Sequence, residues 1–154
     1  MAPILKTKLS NYVKANEMPD WILGYIHYLG HPEVRMLIAQ FMEHHLCKCN
    51  INSTTLGLSA GATATVELTA FLLANPGDVV VITAPAYPMY THDFGIKAGI
   101  SRFDLQTHEN LQEIGTKAPV TIDLLESTWS RLRTEERNFK TLLISSPDNP
   151  TGCR

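Results

Sequence analysis

The run Val79-Val80-Val81-Ile82-Thr83 constrains this chain more than any other feature. Five consecutive β-branched residues show neither the alternation of a half-exposed strand nor the spacing of an amphipathic helix. They specify a strand covered on both faces, as in a parallel sheet. Asn75-Pro76-Gly77-Asp78 breaks the chain immediately before the run. Ahead of that break, residues 62–73 are nearly all apolar, interrupted by threonines and Glu67, which predicts a helix buried all round. Residues 54–58 are predicted as a short strand, followed by a turn at Ser59-Ala60-Gly61. Strand, helix and strand then succeed one another as a βαβ unit.

The alternation continues downstream. Pro85 and Pro88 frame a loop around Tyr87, residues 90–98 read as a helix, and residues 99–105 as a strand. Thr121 caps a helix with Asp123 in its first turn and Ile122, Leu125, Trp129 and Leu132 as its apolar stripe. Thr141-Leu142-Leu143-Ile144 is a further buried strand, and residues 105–119, polar and Gly-containing, read as a surface excursion. Upstream, residues 1–30 form an arm with a short helical pattern at Leu5, Leu9, Tyr12 and Val13. Residues 32–45 form an amphipathic helix opened by Pro32 and Glu33, with Val34, Leu37, Ile38, Phe41 and Met42 on its apolar side. The fold class is α/β.

With 154 residues, 44% of them hydrophobic and 18% charged, the chain is globular rather than disordered or fibrous. A net charge of −2, without long blocks of like charge, excludes a nucleic-acid footprint. No apolar stretch approaches the length of a membrane helix. The opening Met-Ala-Pro-Ile-Leu-Lys-Thr-Lys lacks both the apolar core of a signal peptide and the arginines of a transit peptide, so a cytoplasmic location is expected. Three cysteines fit a reducing compartment. His44, His45, Cys47 and Cys49 lie within six residues, and imidazole and thiolate are both zinc ligands. A Cys-x-Cys pair without a distant second pair lacks the usual ligand spacing, so the cluster reads as the polar tail of a helix and no metal is expected.

Ligands of open α/β sheets gather at the carboxyl ends of strands, which directs attention to residues 59–63, 83–88 and 145–152. Gly61-Ala62-Thr63 opens a helix with free amides at the positive end of its dipole, an anion site in outline that equally suits plain helix capping. Tyr87, held between two prolines, either presents a flat ring to a ligand or is a turn tyrosine. Asn149 before Pro150-Thr151-Gly152 is a side-chain donor on a rigid turn or an ordinary turn asparagine.

Taken in order, Tyr28-Leu29-Gly30-His31-Pro32-Glu33-Val34-Arg35, Ser59-Ala60-Gly61-Ala62-Thr63 with Glu67, Pro76-Gly77-Asp78, Pro85-Ala86-Tyr87-Pro88 and Asn149-Pro150-Thr151-Gly152 resemble the first half of a fold type I pyridoxal-phosphate enzyme of the class I and II aminotransferase family. The Gly-Ala-Thr-Ala block followed by Glu67-Leu68, together with Phe41-Met42-Glu43, is most similar to aminocyclopropane-carboxylate synthases and their relatives. The resemblance implies part of the large domain of a PLP transferase, a three-layer α/β/α arrangement around a mostly parallel sheet, over residues 31–154. It implies pyridoxal 5'-phosphate as cofactor and an amino acid as substrate. Ala62 and Thr63 would hold the cofactor phosphate, Tyr87 would stack on the pyridine ring, and Asn149 would hydrogen-bond its phenolic oxygen. Tyr28 would reach the cofactor phosphate of the neighbouring subunit, which implies a homodimer. Gly77 and Asp78 would be structural, and Arg35 a structural ion-pair partner.

Two positions depart from the synthase pattern: Thr151 stands where a leucine is expected, and Thr91-His92-Asp93 where an arginine is expected. These departures leave transamination at least as well supported as the lyase reaction. In the family the Schiff-base lysine, the carboxylate that keeps the ring nitrogen protonated and the arginine that grips the substrate all follow the Asn-Pro-Thr-Gly turn, whereas this sequence stops at Cys153 and Arg154. None of Lys97, Lys117 and Lys140 sits in the lysine motif, so no catalytic residue is assigned. The expectation is a cofactor-binding portion lacking its lysine. The alternative is a non-catalytic product that binds phosphate ligands or dimerises with a full-length paralogue. A partial sheet would also leave residues 79–82 and 142–144 uncovered, with exposed edges and apolar faces that favour aggregation.

Overall fold

The computed structural model describes residues 2–17, 19–107 and 120–152. Lys117, Cys153, Arg154 and most of the expected excursion over residues 105–119 lie outside them. The chain forms two compact units, Met1–Ser59 and Ala60–Arg154.

The second unit is built around β1 (Val79–Ala84), the strand formed by the β-branched run. It pairs in parallel with β2 (Ser101–Gln106) on one side and β3 (Phe139–Leu143) on the other, giving the order β2-β1-β3. Val79, Val80, Val81 and Ile82 are at most 1% exposed. Their side chains alternate between two cores. Val80 and Ile82 meet Ala70, Phe94, Ala98 and Ile100 on one face, and Val79 and Val81 meet Leu105 and Leu132 on the other. The first core is supplied by α3 (Ala62–Leu73) and α4 (Tyr90–Gly95), the second by α5 (Ile122–Thr134). This is a three-layer α/β/α arrangement. It follows from crossover handedness: the chain passes from β1 to β2 through α4, then back past β1 to β3 through α5. Right-handed crossovers in opposite directions put their helices on opposite faces.

Local chemistry sets the element ends. Thr121 accepts a hydrogen bond from the Leu124 amide at 3.2 Å and so caps α5. Asp78 joins the starts of two strands: one carboxylate oxygen accepts from the Asn75 amide at 2.9 Å, the other from the Asn138 side-chain amide at 2.7 Å. The Asn138 carbonyl in turn accepts from the Val79 amide at 2.8 Å. The Asn75 and Asn138 hydrogen bonds hold the Asp78 carboxyl below the usual carboxylate range.

Several expectations are corrected. Residues 54–58 are not a strand: Ser53–Thr55 form a 3₁₀ turn, because the Asn52 side chain accepts from both the amide and the hydroxyl of Thr54 and diverts the backbone from extension. The βαβ succession therefore begins at β1. The apolar helix α3 buries Ala70 but leaves Leu68, Phe71, Leu72 and Leu73 exposed, because a helix lying on a three-stranded sheet covers one face and not its whole circumference. In α5 the inward residues are Leu124, Leu125, Thr128 and Leu132, while Ile122 and Trp129 point outward. Residues 79–82 are covered rather than bare, since β1 is the central strand. Half-buried β3 and exposed Ile144 do leave an apolar edge.

In the first unit α1 (Ala2–Ala15) buries none of its residues. α2 (Pro32–Met42) begins at Pro32 as expected and continues into a π turn over Glu43–Cys47. Its buried residues are Arg35 and Ala39, not Leu37 and Phe41, which are exposed. Arg35 forms no ion pair among the described residues. Instead its Nη1 donates to the carbonyls of Ser53, Thr54 and Leu56, each at 3.4 Å, clamping the segment that follows the helix. Gly30 has φ +102°, and a Cβ there would lie 2.9 Å from Leu58 Cδ1. Among the described residues no helix is long and apolar enough to cross a membrane.

Candidate functional site

The turn Asn75–Asp78 sends the chain directly from α3 into β1, and Val66, Ala70 and Ala74 join the core cluster that holds Val80 and Ile82. A helix that packs on the sheet and joins its strand through so short a turn runs back along it, which directs the first residues of α3 towards the carboxyl end of β1. Gly61 precedes it with φ 98° and ψ 177°, a conformation that a side chain would oppose. The Gly61 carbonyl accepts from both the amide and the hydroxyl of Thr65, at 3.2 and 3.1 Å. The amides of Ala62, Thr63 and Ala64 have no acceptor within the helix and stand at its positive end. Ala62 and Thr63 are exposed.

Tyr87 follows β1 by three residues. The residue is 37% exposed and its ring meets Tyr90 edge-on, with centroids 5.4 Å apart and planes at 80°. Tyr90 and Ala86 pack on the core beside β1, so they fix the loop that carries Tyr87. Thr107, just past β2, donates to the carbonyl of Ala84 at 3.2 Å and anchors the start of the same loop.

Asn149 follows β3 on a turn closed by Asp148. The Asp148 carbonyl accepts from the Gly152 amide and its carboxylate from the Thr151 hydroxyl, both at 2.7 Å. The Asn149 side chain stands exposed at the tip. Because β1 and β3 are parallel neighbours, the loops carrying Tyr87 and Asn149 leave the same edge of the sheet, where α3 also begins. An order of 2-1-3 makes the carboxyl ends of β1 and β3 the crevice at which the winding direction reverses.

Tyr28 belongs to the first unit. It sits in the turn His27–Gly30, closed by a 2.7 Å hydrogen bond from the Gly30 amide to the His27 carbonyl. Its ring stacks on His27 at 4.4 Å and is otherwise exposed. Sequence reasoning did not single out Tyr90 or Thr107. The first was legible as an aromatic three residues from Tyr87, but the second needed the pairing of β1 with β2. Lys97 forms an ion pair with Glu67 at 3.4 Å, and Lys140 lies exposed on β3. Of the departures from the synthase pattern, His92 is exposed on α4 and Thr151 is bonded to Asp148. Among the described residues no three His, Cys, Asp or Glu side chains are arranged to hold a metal ion.

The loops at this edge present a partly exposed ring at Tyr87 and an exposed side-chain amide at Asn149. The family described as aminotransferase class I and II matches residues 6–153. Among curated proteins, 1-aminocyclopropane-1-carboxylate synthase 6 of Arabidopsis thaliana is 33% identical over 126 residues, which is 81% of this chain and 24% of that protein. The 1-aminocyclopropane-1-carboxylate synthase 1 of Prunus mume is 30% identical over 128 residues, 81% of this chain and 25% of that protein. The chain thus spans about a quarter of the length of these relatives. Among solved structures, an archaeal alanine:glyoxylate aminotransferase superposes with a TM-score of 0.75 at 21% identity, covering 97% of this chain and 34% of that one. Substrate-bound BacF from Bacillus subtilis does so with a TM-score of 0.66 at 22% identity, covering 89% and 32%. At these identities the likeness to solved structures is one of fold.

Proposed function

The chain belongs to the class I and II aminotransferase family, and on that premise we propose that it is the pyridoxal-phosphate-binding portion of an enzyme acting on an amino acid, an aminotransferase or an aminocyclopropane-carboxylate-synthase-like enzyme. The observation that carries the reading is that the loops bearing Tyr87 and Asn149 leave one sheet edge at the crevice between β1 and β3, towards which the short turn into β1 directs the α3 N-terminus. The amides of Ala62 and Thr63 hold the phosphate, the Tyr87 ring sets the plane of the pyridine, and Asn149 donates to the phenolic oxygen. When bound, the cofactor supplies an electron sink for bonds at the amino acid's α-carbon. Tyr28 reaches the phosphate of a second subunit, so the working form is a homodimer. No lysine of this chain is assigned to covalent anchoring: Lys97 is paired with Glu67 and Lys140 is exposed on β3. The departures at Thr151 and His92 support transamination at least as well as the synthase reaction.

Equilibrium dialysis of the chain against pyridoxal phosphate tests the reading. Saturable binding is expected, displaced by excess inorganic phosphate and weakened about three- to tenfold by Tyr87→Ala, as loss of one aromatic stack implies. Asn149→Ala is expected to act in the same direction. Borohydride treatment should leave the cofactor dialysable. Binding that is non-saturable or indifferent to Tyr87 overturns the site, and a stoichiometric adduct on one lysine overturns the statement about anchoring.

A further inference from the structure

The end of α2 carries chemistry that the family's reaction does not use. Past the π turn Glu43–Cys47, Lys48 adopts φ 51° and ψ 29°, the left-handed helical conformation. Cys47 and Cys49 flank it, both exposed and both free thiols. A residue with helical dihedrals of either hand sets its neighbours' Cα atoms about 5.4 Å apart, the chord of a helix of radius about 2.3 Å advancing about 1.5 Å and 100° per residue. That spacing lies mid-range among disulfides, whose Cα atoms are about 4.4–6.8 Å apart. An extended residue at the same position would carry the Cα atoms towards about 7 Å.

Cys49 also lines an open recess of about 350 Å³ with Glu43, His44, Lys48 and Asn50. Glu43 accepts from the Ile51 amide at 2.6 Å, which folds the loop back on the helix end and occupies the carboxylate. His44 Nδ1 lies 2.7 Å from the Gln40 carbonyl and so donates to it. A metal is disfavoured by the lack of a third converging ligand among the described residues and by a cationic residue, Lys48, in the lining of the recess. Lys48, which lines the same recess as Cys49, suits a sulfur electrophile that carries negative charge.

We propose that Cys47-Lys48-Cys49 is a reversible dithiol–disulfide site whose substrate is a low-molecular-weight disulfide bearing carboxylates, of the glutathione class. The Cys49 thiolate attacks one sulfur of that disulfide, forming a mixed disulfide and expelling one thiolate. The Cys47 thiolate then attacks the Cys49 sulfur, closing the Cys47–Cys49 bond and expelling the second. The two expelled thiolates take up the two protons that the cysteines release. The protein dithiol is oxidised by two electrons and the small disulfide reduced to two thiols.

The test is to equilibrate the full chain with mixtures of reduced and oxidised glutathione, quench with alkylating agent and map the cysteines by mass. A Cys47–Cys49 bond is expected in the native chain, while Cys47→Ser and Cys49→Ser each stop at a mixed disulfide. The native chain should form the bond with an equilibrium constant at least tenfold above that of the same chain in urea. Lys48→Val should lower it severalfold, because a β-branched side chain tolerates the left-handed region less well than lysine does, and Lys48→Gly should retain it. Equal constants in native buffer and urea, a bond from either residue to Cys153 instead, or indifference to Lys48→Val overturns the proposal.

Discussion

At the residue scale the least replaceable positions are those whose backbone or hydrogen bonds leave no alternative. Gly30 combines a positive φ with a Cβ position 2.9 Å from Leu58 Cδ1. Gly30→Ala should therefore destabilise the first unit by about 1–3 kcal/mol. Thermal unfolding followed through Trp21, which stacks on His31 at 4.1 Å, reads this when Trp129 is replaced by Phe. An unchanged midpoint would contradict the geometry. Asp78 makes a pH prediction. Its carboxyl is held below the ordinary value near about 4 by the Asn75 amide and the Asn138 side chain. A group depressed in the folded state stabilises the fold above its unfolded value, and that contribution disappears as pH falls through the folded value. Urea midpoints of the parent chain and Asp78→Asn should differ at pH 6 and converge towards pH 2. Pro-Gly-Asp at a turn was legible as structural from sequence. The identity of the partner, Asn138, was not, because the two residues are sixty positions apart and meet only when β1 and β3 pair. Arg35 shows the same limit: its place on a helix was readable, whereas two of its three carbonyl acceptors, Thr54 and Leu56, belong to a segment that sequence patterns presented as a strand.

At the scale of elements, period and capping chemistry located most helices and strands, because these signals are local. Thr121 is an example, and Thr121→Ala should cost about 1 kcal/mol of stability through loss of the bond to the Leu124 amide. Circular dichroism during urea unfolding measures it, with Thr121→Ser expected to recover most of the loss. What period did not reveal is which face of an apolar helix finds a partner. Residues 62–73 carry almost no polar side, so the pattern implied burial all round, yet Ala70 is buried while Phe71 and Leu72 are exposed. Two substitutions separate these environments. Ala70→Leu should destabilise the second unit by about 1–3 kcal/mol through overpacking against Val80, Ile82 and Phe94. Leu72→Lys should leave stability within about 0.5 kcal/mol while reducing binding of a hydrophobic dye.

At the scale of the whole molecule, the sheet order decides both protection and site. β1 is bonded on both sides and β2 and β3 on one side each within the described residues, so amides of residues 80–83 should exchange most slowly in the second unit. Hydrogen exchange in which β3 outlasts β1 would contradict the central placement. The same order sends the loops carrying Tyr87 and Asn149 from one edge, although 62 positions separate the two residues.

The sequence by itself determined the α/β class, the central strand, the extents of α2 and α3 to within a few residues, and an ordered motif set that resembles the family to which the chain belongs. These rest on local signals: β-branching, helical period, proline and glycine punctuation, and capping hydroxyls. Tertiary structure alone decided that residues 54–58 turn instead of pairing, that α3 is covered on one face, that Arg35 clamps carbonyls rather than an acid, and that Tyr90 and Thr107 brace the Tyr87 loop. Each of these depends on a partner supplied from elsewhere in the chain, and a pattern read along one strand or helix carries no information about what the fold brings against it.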